Sequence, residues 1–198
     1  MSASGQQGRK PRADVQRNRA ALLEAAQRHF LRYGVGTSLE AVAKEAGVGP
    51  GTLYRHFPTR EALLAAVLQT RSEELVARQE EIARLGDADK ALEQWLRALE
   101  EYFSAFSGLP EPLMAAARAL DPGNPLTVPC DILTTATDEY VRAAQRTGTV
   151  RESVQGYDLF LAACSVAWIK GTGATDEEAL NRLRALIASG YRERGDQM

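Results

Sequence analysis

The residues with usable chemistry crowd into one short stretch, Thr37 to Phe57, which reads TSLEAVAKEAGVGPGTLYRHF. Thr37 and Ser38 bring hydroxyls to its head and Lys44 a cation. Thr52, Tyr54, Arg55 and His56 then supply a hydroxyl, a phenol, a guanidinium and an imidazole in close succession. Such polar tips suit backbone phosphates, and a guanidinium or a threonine methyl also suits base edges. They suit catalysis poorly. The chain's two histidines, His29 and His56, both fall in this N-terminal region. No nucleophile–base set, glycine-rich phosphate loop or metal-ligand spacing accompanies them. Neither an enzyme nor a bound cofactor or metal is expected. The two cysteines, Cys130 and Cys164, lie far apart and outside any CxxC spacing, as in a reduced cytosolic protein.

The elements that position this chemistry follow from periodicity and breakers. Asp14 is placed to cap a first helix running to about Tyr33, with Leu23, Ala26 and Phe30 on one stripe and Gly34 and Gly36 ending it. Thr37 opens a second helix, with Glu40 three residues on in a capping-box pattern. Gly47, inside Ala46-Gly47-Val48, supplies the positive φ of a tight inter-helix turn. A third helix runs from about Gly49 to Phe57, with Pro50 in its first turn, where the missing N–H is not needed. Val42, Ala43, Val48 and Leu53 pack these helices together, and Phe57 joins the core. The exposed face of the third helix is Gly49, Gly51, Thr52, Arg55 and His56, a lean surface with few base-reading groups. Tyr54 is read either as a phosphate contact or as packing. The arrangement is a helix-turn-helix, whose second helix enters the major groove of duplex DNA.

Charge agrees. Net charge is −2, but up to Arg60 ten basic residues face four acidic ones, and beyond it fourteen face twenty-two. A basic end on an acidic body points to nucleic acid. Residues 1–13 read as a disordered arm, either a solubilising tail or a DNA-tracking segment acting through Arg9, Lys10 and Arg12.

The string GVGPGTLYRHFPTREALLAAV resembles the signature of the TetR family of bacterial regulators. So do the ending of the first helix (Ala25, Ala26, Phe30, Gly34) and the run Ala43, Ala46, Gly47, Val48. The resemblance runs from about Val15 to Leu75. It implies phosphate contacts at Thr37 and Ser38 and a recognition helix carrying Gly49, Pro50, Gly51, Thr52, Tyr54, Arg55 and His56. It also implies a basic contact at Arg60, heading the fourth helix. Gly49, Pro50 and Gly51 offer little base-edge chemistry, so specificity leans on Arg55, the arm and DNA shape.

Beyond Pro58, Thr59 caps a long helix to about Arg84, and further helices are expected at 90–106, 111–120, 130–147, 155–171 and 176–194. The expected fold is all-α, about nine helices: a helix-turn-helix domain at 14–60 and a helical ligand-binding and dimerisation domain at 61–198. No signal peptide is visible, and the longest apolar run, Leu159 to Ile169, is too short to span a membrane. The resemblance implies a homodimer formed through the last two helices. Leu159, Leu161, Ala162, Val166 and Ile169 fit that role, as do Leu180, Leu183, Ile187 and Tyr191, with filling of the protomer core as the alternative. It also implies a cavity for a small effector, for which Trp95, Tyr102, Phe103, Phe106, Met114, Tyr140 and Trp168 are candidate lining residues. The scarcity of inner-face charge favours an apolar or aromatic ligand. The expected function is a ligand-released repressor on a palindromic operator. A DNA-binding dimer with no ligand, and an activator, remain alternatives.

Overall fold

The computed structural model describes residues 10–193. Among them the chain forms helices α1 (Lys10–Tyr33), α2 (Leu39–Glu45), α3 (Pro50–His56), α4 (Arg60–Ala83), α5 (Ala88–Phe103), α6 (Pro110–Ala119), α7 (Thr127–Arg146), α8 (Gly156–Thr172) and α9 (Glu177–Tyr191). No strand occurs among the described residues; a single bridge joins Val150 to Arg192. No described helix is long and apolar enough to cross a membrane.

Helix ends follow their capping chemistry, with two departures from expectation. The first helix begins at Lys10 rather than after Asp14, which pairs instead with Arg17 at 2.9 Å. The second is capped by Ser38, not Thr37: the Ser38 hydroxyl accepts from the Ala41 N–H at 3.2 Å. Glu40 then falls one position short of the third helical residue, and the expected capping box does not form. Thr59 caps α4 as expected, accepting from the Ala62 N–H at 3.1 Å. Arg9 lies outside the described residues, as do the side chains of Lys10 and Arg12.

Helices α1, α2, α3 and the head of α4 make a headpiece around Leu22, Ala26, Phe30, Val42, Leu53 and Phe57, all buried. The body is built on α5, α7 and α8, with α6 and α9 on its flanks. One apolar core runs through both parts, and a smaller cluster of Leu92, Val141, Val150, Leu159 and Tyr191 closes the far end. Headpiece and body meet at a tight seam. The Val35 N–H donates to the Ser107 carbonyl at 2.9 Å, and the Phe30 and Phe106 rings meet edge-on at 5.7 Å. Gly34 has φ +77°, and a Cβ there would sit 2.7 Å from the Ser107 carbonyl oxygen. Only glycine fits that turn.

Candidate nucleic-acid interface and effector cavity

The turn between α2 and α3 forms as the sequence predicts, with Gly47 at φ +71°. On the outer surface of α3, Gly49, Pro50, Gly51, Tyr54 and Arg55 are exposed, and Thr52 and His56 are half-buried. Lys44 is exposed at the end of α2. Gly49 and Gly51 need no glycine for the fold: an added Cβ at either meets nothing within 4 Å.

Ser38, Thr52, Tyr54 and Arg55 are already engaged by neighbours on this surface. Arg55 folds back along its helix, donating from Nε to the Gly51 carbonyl and from Nη2 to the Thr52 hydroxyl, both at 3.1 Å. Glu40, which sequence reasoning assigned only to a cap, is a hub. The Ser38 hydroxyl donates to its carboxylate at 2.8 Å and the Tyr54 hydroxyl at 3.1 Å. Glu40 is thereby held below the ordinary carboxylate range, first by its own backbone N–H and then by these two hydroxyls. The same contact raises Tyr54 above the ordinary phenol value. Tyr54 is 43% exposed, so packing is not its role.

Two further expected contacts are turned inward. Thr37 lies 3.2 Å from Nδ1 of buried His29, whose Nε2 is 2.7 Å from the Glu45 carboxylate. The His29 ring thus bridges Thr37 and Glu45. Arg60 donates from one nitrogen to the Val35 carbonyl at 2.7 Å and the Thr37 carbonyl at 2.6 Å. It clamps the α1–α2 turn rather than extending into solvent. Neither role has a sequence signal beyond a polar residue near a turn.

The body holds a cavity of about 570 Å³ between α4, α5 and α7. Trp95 and Tyr102 line it. The Trp95 indole N–H is satisfied by the Thr137 hydroxyl at 3.0 Å. Burial pushes the Tyr102 phenol up to about 12, so it stays neutral. The other expected residues lie elsewhere. Phe103 and Phe106 are fully buried in the core, and Met114 packs against that core. Tyr140 stacks behind Trp95 at 5.3 Å. Trp168 stands 51% exposed on α8, away from the cavity. Helical spacing put these side chains on inner or outer faces that the sequence did not distinguish. Sequence reasoning also missed the α4 and α7 residues, notably Gln69, Gln79, Val128 and Ile132, that complete the wall. A second groove of about 460 Å³, beside α5, α8 and α9, is edged by charge, including the Glu100–Arg184 pair at 2.7 Å.

Of the expected dimer residues, Leu159, Val166, Leu180 and Tyr191 are buried within the protomer, filling the core between α8, α9 and their neighbours. Leu161, Ala162, Ile169, Leu183 and Ile187 are half-buried. The large apolar side chains left outside on α8 and α9 are Trp168 and Leu186, the latter 69% exposed.

Comparison with known proteins places this geometry. A family model described as bacterial regulatory proteins of the tetR family matches residues 22–67. A second, described as the C-terminal domain of SbtR-like transcriptional regulators, matches residues 87–193. The HTH-type transcriptional regulator UidR of Escherichia coli is 36% identical over 66 residues, which cover 33% of this chain and 34% of UidR. The similarity thus spans about a third of the curated relative's length. A TetR transcriptional regulator from Streptomyces coelicolor, SCO0520, is 31% identical in solved structure, covering 89% of this chain and 99% of its own, with a TM-score of 0.56. A transcriptional regulator from Saccharomonospora viridis in complex with choline shares the fold at 20% identity and a TM-score of 0.59, covering 90% and 100% of the two chains. With headpiece, body and both halves of the sequence in agreement, the chain belongs to the TetR family of DNA-binding transcriptional regulators.

Proposed function

We propose that the chain is a homodimeric repressor that binds a palindromic operator and leaves it when a small apolar or aromatic effector occupies the α4–α5–α7 cavity. The observation that carries the reading is the pairing of an uncovered α3 surface with an uncharged cavity that abuts α4, the helix leading from headpiece to body. Thr52, Tyr54, Arg55 and His56 are the direct DNA contacts in this reading. Ser38 and Lys44 flank them, and Gly49, Pro50 and Gly51 let the helix approach. Thr37 and Arg60 act from behind, holding the start of α2. Arg9, Lys10 and Arg12 add positive charge for backbone phosphates in this reading.

Two headpieces spaced roughly 34–36 Å apart read a palindrome, which a single short helix cannot. The exposed Trp168 and Leu186, with half-buried Leu161, Ile169 and Leu183, supply the apolar face on which a second copy rests. Release is linkage: an effector that favours another headpiece separation depletes the DNA-competent population by its differential affinity alone. The contacts that support a route are these. Tyr102, in the cavity wall, lies four residues before Phe106 and five before Ser107, which follow just past the end of α5. These hold Phe30 and the Val35 N–H, and Arg60 ties Val35 to Thr37 at the start of α2.

The test is selection of bound fragments from sheared genomic DNA of the source organism by the full-length protein, followed by sequencing. An enriched palindrome overlapping a promoter, with transcription rising when the protein is removed, supports the reading. A folded protein that enriches nothing at moderate salt, or an operator whose gene falls silent on removal, refutes it.

A further inference from the structure

The walls of the α4–α5–α7 cavity differ in chemistry. The α7 wall is apolar throughout, with Val128, Pro129 and Ile132 at its rim. The α4 wall carries two carboxamides, Gln79, half-buried, and Gln69, exposed at the mouth, and among the described residues neither carboxamide is tied to another side chain or to backbone. Ser72 between them is not available in the same way, since its hydroxyl donates to the Gln69 backbone carbonyl at 2.7 Å. Ten residues along a helix place the two glutamines about 15 Å apart on the same wall. No acidic or basic side chain lines the cavity. The mouth is open to solvent at Gln69, Val128 and Ile132, but an ionised group seated on the buried floor of Trp95, Leu133 and Ala136 would lose its hydration without a counter-charge.

From this we infer that the effector is a neutral, elongated molecule, apolar along one edge and bearing hydrogen-bonding groups near both ends of the other, held by Gln69 and Gln79. A carboxamide both donates and accepts, so hydroxyl, carbonyl or amide groups are taken equally well. The apolar edge lies against Val128 and Ile132, whose exposure (65% and 62%) is otherwise unexplained. The inference rests on the reading of this cavity as the effector site.

Titration calorimetry of the full-length protein with four twelve-carbon probes tests it: a diol with a hydroxyl at each end, the monoalcohol, the dicarboxylate and the diammonium. The diol binds about tenfold more tightly than the monoalcohol, as one added hydrogen-bonded group allows. The charged probes do not bind. Gln69→Leu and Gln79→Leu each lower diol affinity to about that of the monoalcohol. They leave the monoalcohol unchanged, since it can hang from either end. A diol no tighter than the monoalcohol, or unaffected by both substitutions, overturns the two-ended class while leaving the cavity reading intact. Equal binding of a charged probe overturns neutrality. Failure of all four overturns the cavity as an effector site, and with it the premise.

Discussion

Gly34→Ala isolates the seam between headpiece and body. The residue sits at φ +77°, and its new Cβ would lie 2.7 Å from the Ser107 carbonyl oxygen and 3.3 Å from the Ser107 Cβ. An L-residue in the left-handed region costs about 1–2 kcal/mol. Relieving the clash moves backbone on one side, and the 2.9 Å hydrogen bond from the Val35 N–H to Ser107 is the first casualty. Its loss adds about 1 kcal/mol. The expected total is about 2–3 kcal/mol, or roughly 4–12 °C in midpoint for a chain of this size. Gly47→Ala is the matched control. It has nearly the same φ, +71°, but nothing within 4 Å of the added atom, so it loses only the conformational part. Urea denaturation of both variants gives the difference, and hydrogen exchange at the Val35 amide locates it. Equal destabilisation by the two substitutions, with Val35 still protected, would refute the claim that Gly34 is required by close approach.

Gly51→Ala is expected to raise stability by up to about 1 kcal/mol, because a helical glycine is replaced where nothing crowds the new methyl, yet to weaken operator binding. A gain in both stability and affinity means that DNA does not reach this part of α3. Arg184→Met strands Glu100, a carboxylate only 9% exposed, and is expected to cost about 3–5 kcal/mol at neutral pH. Burial already raises the Glu100 carboxyl above the ordinary range despite Arg184, and removing the guanidinium raises it further. A raised folded value means stability present below the unfolded value and lost as pH rises through the folded one. The gap to wild type therefore narrows toward acid pH in denaturation curves, and a gap independent of pH would show that the loss is one of packing alone. Neither cysteine is expected to react with a thiol reagent in the native protein. Both are buried; burial pushes Cys130 up to about 12 and Cys164 upward as well. Rapid labelling of either before unfolding contradicts that placement.

The helices and the turn at Gly47 were legible in sequence because each depends on local signals: apolar spacing, Pro50 at a first turn, Thr59 before a long run. The partners of polar side chains were not. Thr37 and Ser38 are adjacent hydroxyls, and which one caps α2 depends on His29, eight residues earlier, drawing Thr37 inward. Arg60 read as a free cation, because its acceptors, the carbonyls of Val35 and Thr37, become available only when α4 folds back against the α1–α2 turn. The aromatic candidates for the cavity were chosen by type, and type does not say which helix face a neighbour covers. Trp95 and Phe103 both face inward on α5, yet only Trp95 meets the gap left between α4 and α7.

The Glu40 hub bears on what the headpiece ignores. Its carboxylate occupies the hydroxyl protons of Ser38 and Tyr54 on the surface assigned to phosphates. A solitary sulfate or nucleotide approaching this spot meets a resident anion that already holds the donors, and brings too little elsewhere to displace it. A duplex arrives with phosphates on both flanks and a groove for α3, so the exchange at Glu40 is one small step among many favourable ones. If Ser38 and Tyr54 are phosphate contacts, as proposed, this spot discriminates by the spacing of charge rather than by charge itself.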